Sequence, residues 1–373
     1  MSNSVLHIEL GRHLYGGAKQ VSYLIKALET NSVIEQHLLC TDDSDISKVR
    51  FDSCRVHPIA YKGEADFFCI KRMLDVVKSV NPSIIHVHSR RGADVWGAIL
   101  AKITGIPAIC TRRVDNPESK FAYYKYKQYD AVISISHGVQ QVVSLHCEGV
   151  VHQDVIHSAI DIDEYSQGAD RAWLNSTFDI PDEHLVIGNF AQYISRKGQA
   201  DIILAMQDVI AQNPKVTCLL FGKGALQESY QALIDRHKLQ KNVKLCGFSK
   251  DVAKILPSID IVIHPSYTEG LGVVLLQAGA SKCAVIASPV GGIPEVIKHD
   301  ETGLMVAPGD IDGIAETLLD LMDNSDKRTR LGNALFEHVC SKFSIEPMMK
   351  AYSELYFSLI SQSPDTSLKR VVK

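Results

Sequence analysis

Apolar residues come in short clustered runs, separated by longer stretches in which they recur every three or four positions. In the first half the runs are Val5–Leu10, His37–Cys40, Ile84–His88, Ala108–Thr111, Ala131–Ile135 and Asp154–Ile156. In the second half they are Leu185–Phe190, Val216–Phe221, Val243–Cys246, Ile261–Ile263, Ala284–Ala287 and Leu304–Val306. Short runs rich in Val and Ile, with helix-length spacers, predict buried parallel strands joined by helical crossovers. The spacer after Lys197-Gly198 shows the helical period, with Ile202, Met206, Val209 and Ile210 on one face. Because the grammar occurs twice, the expected fold is α/β, with two Rossmann-like doubly wound parallel-sheet domains. Ligands belong at the carboxyl ends of the strands in such sheets.

The division between the domains is also legible. After Ile156 the chain turns polar and loses its period, with Asp, Ser and Gly dominating. This predicts a first domain over 1–163, a linker over 164–182 and a second domain over 183–344. Beyond Lys342, Met348, Tyr352, Leu355 and Tyr356 fall at helical spacing, which predicts an amphipathic helix over about 345–362. The residues from about Ser361 are polar with a basic end and are expected to fray.

Composition narrows the class. A chain of 373 residues can bury two cores, and 46% hydrophobic with 22% charged residues is a globular composition. The net charge of −4 supplies no field for nucleic acid, so no nucleic-acid partner is expected. No apolar run approaches the length of a membrane span, and MSNSVLHIEL lacks the basic-then-apolar layout of a signal peptide. The expected location is the cytoplasm, with the inner face of the membrane as an alternative. The nine cysteines are scattered without a Cys-x-x-Cys pair, which predicts small buried side chains over zinc or disulfides.

The densest chemistry lies in Pro265–Glu295. Glu269 stands just before Gly270-Leu271-Gly272, and a helix is predicted from Val273 to Ala280. Glycines let the chain approach a ligand, and the helix start offers unpaired N–H groups and a positive dipole end. That suits a diphosphate, with Glu269 accepting hydrogen bonds from hydroxyl groups beside it. A second cluster, Arg196-Lys197-Gly198, follows the strand Leu185–Phe190, where a doubly wound domain places phosphate. Fixed cations there stabilise the charge that builds on a departing diphosphate. Gly291-Gly292-Ile293-Pro294-Glu295 reads as a tight turn or a ligand contact. Gly16-Gly17 opens the first helix. His86-Val87-His88 ends a strand with both imidazoles on one face, but no third ligand at convincing spacing follows, so no metal is expected.

Taken together, these motifs resemble the retaining family 4 glycosyltransferases, and the likeness runs with gaps from Gly16-Gly17 to the helical C-terminus. The resemblance implies the GT-B fold and transfer of a sugar from a nucleotide-diphosphate sugar to an acceptor hydroxyl of a glycan or glycolipid. Glu269 matches the first acid of the family's Glu-x7-Glu pattern, while Gln277 stands at the second. Lys197 matches a phosphate-binding lysine. The Arg normally five residues before it is Gln192 here, and Arg196 is expected to supply that charge, as in some lipopolysaccharide-core members. The resemblance also implies that His88 borders the donor sugar and that Gly16-Gly17 lies where diphosphate and acceptor meet. Gly222, Gly247 and the backbone of Gly270, Leu271, Gly272 and Val273 would lie near the nucleotide, with Gln277 at the ribose. The C-terminal helix is expected to pack back on the first domain. No Asp-x-Asp motif stands in a suitable setting, so neither metal nor other cofactor is expected. A basic excess in the first domain, including Lys102, Arg113, Lys125 and Lys127, fits anionic headgroups at a peripheral membrane contact, a phosphorylated acceptor, or a solvated helix face. Surface-glycan or lipopolysaccharide synthesis is the commonest setting for such small members. Two rivals share the sequence features: a nucleotide-sugar epimerase of similar fold, and a degenerate binding homologue.

Overall fold

The computed structural model describes residues 3–14, 16–31, 33–88, 92–119, 121–147, 149–150 and 152–362. The chain divides into two compact units, 1–159 with 345–373, and 160–344.

The first unit is built on seven parallel strands, β1 (Ser4–Glu9), β2 (Glu35–Thr41), β3 (Arg55–Ile59), β4 (Ile84–Val87), β5 (Ala108–Arg112), β6 (Ala131–Ser134) and β7 (His152–Val155). Their order is β3-β2-β1-β4-β5-β6-β7. The winding reverses between β1 and β4, which opens a crevice at their carboxyl ends. In the register of that pair, His7 lies opposite His86. The edge strand β3 was not expected. Its residues, Arg-Val-His-Pro-Ile, are mostly half-exposed, and Pro58 is tolerated because an edge strand leaves one side of its backbone unpaired.

The helix Ile345–Gln362 belongs to this unit. Met348, Tyr352, Leu355 and Tyr356 are buried against Val5, Ile84 and Ile109 of the sheet and Leu24 and Leu28 of the helix Gly17–Asn31. The period of four seen in the sequence is thus the face that covers β1, β4 and β5. Each such side chain contributes roughly 1.5–3 kcal/mol by leaving water.

The second unit carries six parallel strands, β8 (Leu185–Phe190), β9 (Val216–Phe221), β10 (Val243–Gly247), β11 (Ile261–His264), β12 (Ala284–Ala287) and β13 (Leu304–Met305). Their order is β10-β9-β8-β11-β12-β13, so the reversal falls between β8 and β11. Its core joins Ile187, Cys218, Leu220, Ile263 and Ile286 to Ile202, Met206 and Val209 of the helix Gln199–Gln212 and to Leu318 and Leu321 of Ile311–Asp323.

The stretch 164–182, expected as an irregular linker, instead folds into this unit. The short helix Ile162–Tyr165 is capped by the Asp161 side chain, and Arg171–Phe178 by that of Asp170. Tyr165 and Leu174 are buried, and Arg171 pairs with Asp260 at 2.7 Å. Three scattered apolar anchors, Tyr165, Leu174 and Ile180, give no period in a polar segment, yet a side-chain cap and one buried residue suffice to fix a short helix on an existing surface. The nine cysteines are free thiols. No helix among the described residues is long and apolar enough to cross a membrane.

Candidate active site

In the second unit, the loops that follow β8 and β11 meet across the topological reversal. After β8 the chain forms a single tight turn, Ser195–Lys197, then Gly198 in the left-handed region at φ +70°. A Cβ on Gly198 would stand 2.1 Å from the carbonyl oxygen of Pro265, so only glycine lets the two loops approach this closely. Backbone pairing continues the contact, with Tyr267 N donating to Arg196 O at 2.8 Å.

This approach brings Lys197 and Glu269 together. Lys197 Nζ donates to Glu269 Oε2 in a close ion pair. His264, the last residue of β11, donates from Nε2 to the same oxygen at 2.9 Å, and Gly270 N donates to Oε1 at 3.1 Å. Ser266 Oγ stands 3.0 Å from His264 Nε2. Burial alone would raise the Glu269 carboxyl, but the hydrogen bond from His264 and the Lys197 ammonium outweigh it and hold it well below the usual carboxylate range. His264 itself is kept neutral, because burial lowers it more than Glu269 raises it. The carboxylate is therefore ionised and aimed by three donors.

The backbone of Glu269 is held from the other side by the Gly-Gly turn. Gly291 sits at φ +55°, and a Cβ there would stand 1.7 Å from Glu269 O. Gly291-Gly292 thus fixes the loop that carries the carboxylate. Arg196 Nη1 donates to Thr268 Oγ1 at 3.3 Å, beside the pair, whereas Gln192 is exposed with its carbonyl taken by Gln199 Nε2 at 3.0 Å.

Gly272, at φ +82°, opens the helix Val273–Ala280 with no side-chain cap. The first N–H groups of that helix are thereby left to a ligand or to water. Leu271 is buried, so its side chain belongs to the core. Gly222 and Gly247, at the carboxyl ends of β9 and β10, are joined by a 2.9 Å bond from Gly222 N to Gly247 O. A Cβ on Gly222 would meet Ala191 O at 1.9 Å. Beside them Lys223 Nζ lies 5.1 Å over the half-exposed ring of Phe248. Gln277 lies one helix turn from Gly272 and donates from Nε2 to Tyr165 OH at 2.8 Å. Among the described residues its Oε1 makes no hydrogen bond. One of the two N–H donors of the Gln277 amide is therefore committed to Tyr165.

In the first unit, Gly16 adopts φ +54°, and a Cβ on Gly17 would stand 3.2 Å from Arg113 Cδ. His88 lies just past the end of β4, its backbone N–H bonded to Ile8 O at 3.0 Å. The sequence shows two histidines here, and the structure adds a third. His7 of β1 places its imidazole beside both, and the three rings fall within the span of a metal-ligand set. Five of the six ring nitrogens are nevertheless committed: His7 to His88 and Gln36, His86 to Tyr356 and Thr111, and His88 Nε2 to His7. His88 Nδ1 alone has no partner among the described residues. In this arrangement the three rings form a hydrogen-bonded network.

His264 and Ser266 escaped the sequence reading, although the polar end of Ile-Val-Ile-His is a visible signal that a strand's tip faces something other than core. His7 and Tyr165 carried no local signal. Their partners are 81 and 112 residues away.

Comparison with known proteins shows what the two units resemble. Residues 174–338 match the family described as "Glycosyl transferases group 1", and residues 20–136 match "Glycosyl transferase 4-like". N-acetyl-alpha-D-glucosaminyl L-malate synthase of Bacillus anthracis is 23% identical over 307 residues, 79% of this chain and 80% of that one. A GDP-mannose-dependent monoacylated alpha-(1-6)-phosphatidylinositol monomannoside mannosyltransferase of Corynebacterium glutamicum is 32% identical over 202 residues, about half of either chain (51% and 52%). Among solved structures, a glycosyltransferase from Rickettsia africae gives a TM-score of 0.82 at 19% identity, covering 97% of this chain and 100% of that one. Anabaena Alr3699/HepE in complex with UDP and glucose gives 0.79 at 20%, over 95% and 100%. These likenesses establish the fold. With a group 1 glycosyl transferase domain in its second unit and a glycosyl transferase 4-like domain in its first, the chain is a glycosyltransferase of the GT-B fold.

Proposed function

We propose that the protein transfers a sugar from a nucleotide-diphosphate sugar to the hydroxyl of a glycan or glycolipid acceptor, with retention of anomeric configuration. The observation that carries this reading is the ionised Glu269, aimed by Lys197, His264 and Gly270 N at the carboxyl end of β11 and next to an uncapped helix start. In this reading the donor binds the second unit. Its diphosphate takes Lys197, Arg196 and the N–H groups of Gly270 to Val273, and displaces the Lys197–Glu269 pairing. Glu269 then accepts from sugar hydroxyls, a stronger hydrogen bond than a neutral acceptor would make. As the diphosphate leaves, Lys197 and Arg196 stabilise the charge growing on its bridging oxygen. His88 and Gly16-Gly17 would serve the sugar and the acceptor from the first unit. A surface-glycan role is supported by a 28% identity over 189 residues with a lipopolysaccharide core biosynthesis glycosyltransferase of Rhizobium meliloti, about half of either chain. Protein cations take the place of a divalent ion in this scheme.

The test is a screen of nucleotide sugars for nucleoside diphosphate release, with and without glycan acceptors and with excess EDTA. Release that needs an acceptor and survives EDTA is the expected result. Conversion of the donor without acceptor would favour the epimerase, and inhibition reversed by magnesium or manganese would refute metal independence.

Gln277 supplies a second check. In this reading its free Oε1 accepts one ribose hydroxyl, so Gln277→Ala should weaken nucleoside diphosphate binding by about 1–2 kcal/mol, the cost of a hydrogen bond whose partner is left unpaired. Calorimetric titration with UDP and GDP reads this directly, and unchanged affinity would remove Gln277 from the site.

A further inference from the structure

The imidazoles at the reversal of the first sheet form a chain with only one possible direction. It starts at Ile34 O, which can only accept. Gln36 Nε2 donates to it at 2.7 Å, and this fixes which end of the amide faces His7. The Gln36 oxygen must then accept, so the proton on His7 sits on Nε2, 2.8 Å away. His7 is neutral, because burial pulls its pKa down to about 4. Its Nδ1 therefore carries a lone pair and accepts from His88 Nε2 at 2.9 Å. His88 is likewise neutral, chiefly through burial and then through its neighbours His86, His7 and Arg113. With its single proton on Nε2, its Nδ1 is bare.

His86 belongs to a separate branch. It reaches Tyr356 OH at 2.6 Å and Thr111 Oγ1 at 2.7 Å, and Thr111 Oγ1 reaches Tyr352 OH at 2.9 Å. That branch ties the sheet to the C-terminal helix, and its ring lies 3.7 Å from that of His88 without a hydrogen bond between them. It supports the position of His88 but has no hold on its proton.

We propose that His7 and Gln36 are positioning residues that lock His88 in the Nε2–H tautomer, so that a fully buried, unprotonated Nδ1 at the carboxyl end of β4 is held ready to accept a hydroxyl of the sugar being transferred. This rests on the transferase reading given above. A neutral histidine left to itself exchanges between two tautomers, and the wrong one would present an N–H donor to a hydroxyl whose proton needs an acceptor. Leaving a buried acceptor unpaired is costly, which fits a group whose partner arrives with the substrate. Gln36 ends the chain in a group that cannot take up a proton. The device therefore orients and does not conduct.

The experiment is nitrogen-15 NMR of the imidazole side chains, joined to kinetics. In the wild-type protein His88 should show a protonated Nε2 and a bare Nδ1, with no donor present. In His7→Phe the Nε2–H loses its acceptor, so both tautomers of His88 should be populated. kcat should then fall by about tenfold or more, the rate counterpart of one lost hydrogen bond, while nucleoside diphosphate affinity in the second unit is unchanged. His7→Gln offers an amide oxygen to the same proton and should restore the tautomer and most of the lost rate. Gln36→Leu, which leaves the three rings in place, should loosen the tautomer without removing His7, and covers the case in which His7→Phe fails to fold. A His88 protonated on Nδ1 in the wild type overturns the proposal, as does a His88 tautomer indifferent to both His7→Phe and Gln36→Leu. Absence of sugar transfer by a wild-type protein with the expected tautomer would instead refute the transferase reading, since the NMR result needs no turnover.

Discussion

Lys197→Ala is expected to lower kcat by about 10²–10³ while the protein stays folded. The rate figure is what loss of one preorganised charge at a leaving group commonly costs. The fold should survive because Glu269 keeps two of its three donors, His264 at 2.9 Å and Gly270 N at 3.1 Å. A pH signature separates loss of the cation from general damage. Glu269 has a depressed pKa, so it stays ionised through the ordinary carboxylate range and loses its charge only as pH falls through the lower folded value. Removing Lys197 takes away one cause of the depression, and the acid limb of the variant's pH–rate profile should move to higher pH. A variant that keeps more than about a tenth of wild-type kcat would show that Lys197 does not hold the diphosphate.

Gly291→Ala should damage the same reaction without touching any ligand. The new Cβ would meet Glu269 O at 1.7 Å, at a φ of +55° that L-residues avoid. The loop carrying Glu269 must then shift, and a shift of 1 Å in a positioned group can cost about 10²-fold in rate. Strain and overpacking together should also cost at least about 2 kcal/mol of stability. Gly149→Ala is the control. It too has a left-handed φ, of +82°, but nothing lies within 4 Å of its Cβ, so it should show the backbone penalty alone and normal kcat. Urea unfolding and initial rates on both variants make the comparison. Equal behaviour of the two would mean that the Gly291-Gly292 turn does not position Glu269.

The parallel sheets were readable because strands buried on both faces are written as unbroken apolar runs, such as Ile-Val-Ile at 261–263 and Ala-Val-Ile-Ala at 284–287. Edge strand β3 was not, since half-exposure and Pro58 erase that signature. Glu269 and Lys197 were legible from the glycines beside them, as glycine marks a close approach whatever approaches. What approaches proved to be another loop as well as any ligand: Gly198 against Pro265, and Gly291 against Glu269. The partners Tyr165 and His7 were hidden for a different reason. A polar side chain that completes a site from a distant strand or helix has no neighbourhood in sequence, and only the topology of the sheet discloses it.

The helix Ile345–Gln362 has a consequence for the order in which the protein is made. Residues 1–159 leave the ribosome before the helix that completes their core, for the cluster at Val5, Ile84 and Ile109 also takes in Met348, Tyr352, Leu355 and Tyr356. His86 likewise waits for the Tyr356 hydroxyl, and Thr111 for that of Tyr352. The first unit therefore cannot complete this core until the helix Ile345–Gln362 has been made. The second unit is contiguous in the chain, so it can complete its core during synthesis, while the first emerges with an apolar face open until the last helix arrives. A chain at that stage presents an open apolar face, the kind of surface that makes partly folded proteins prone to association.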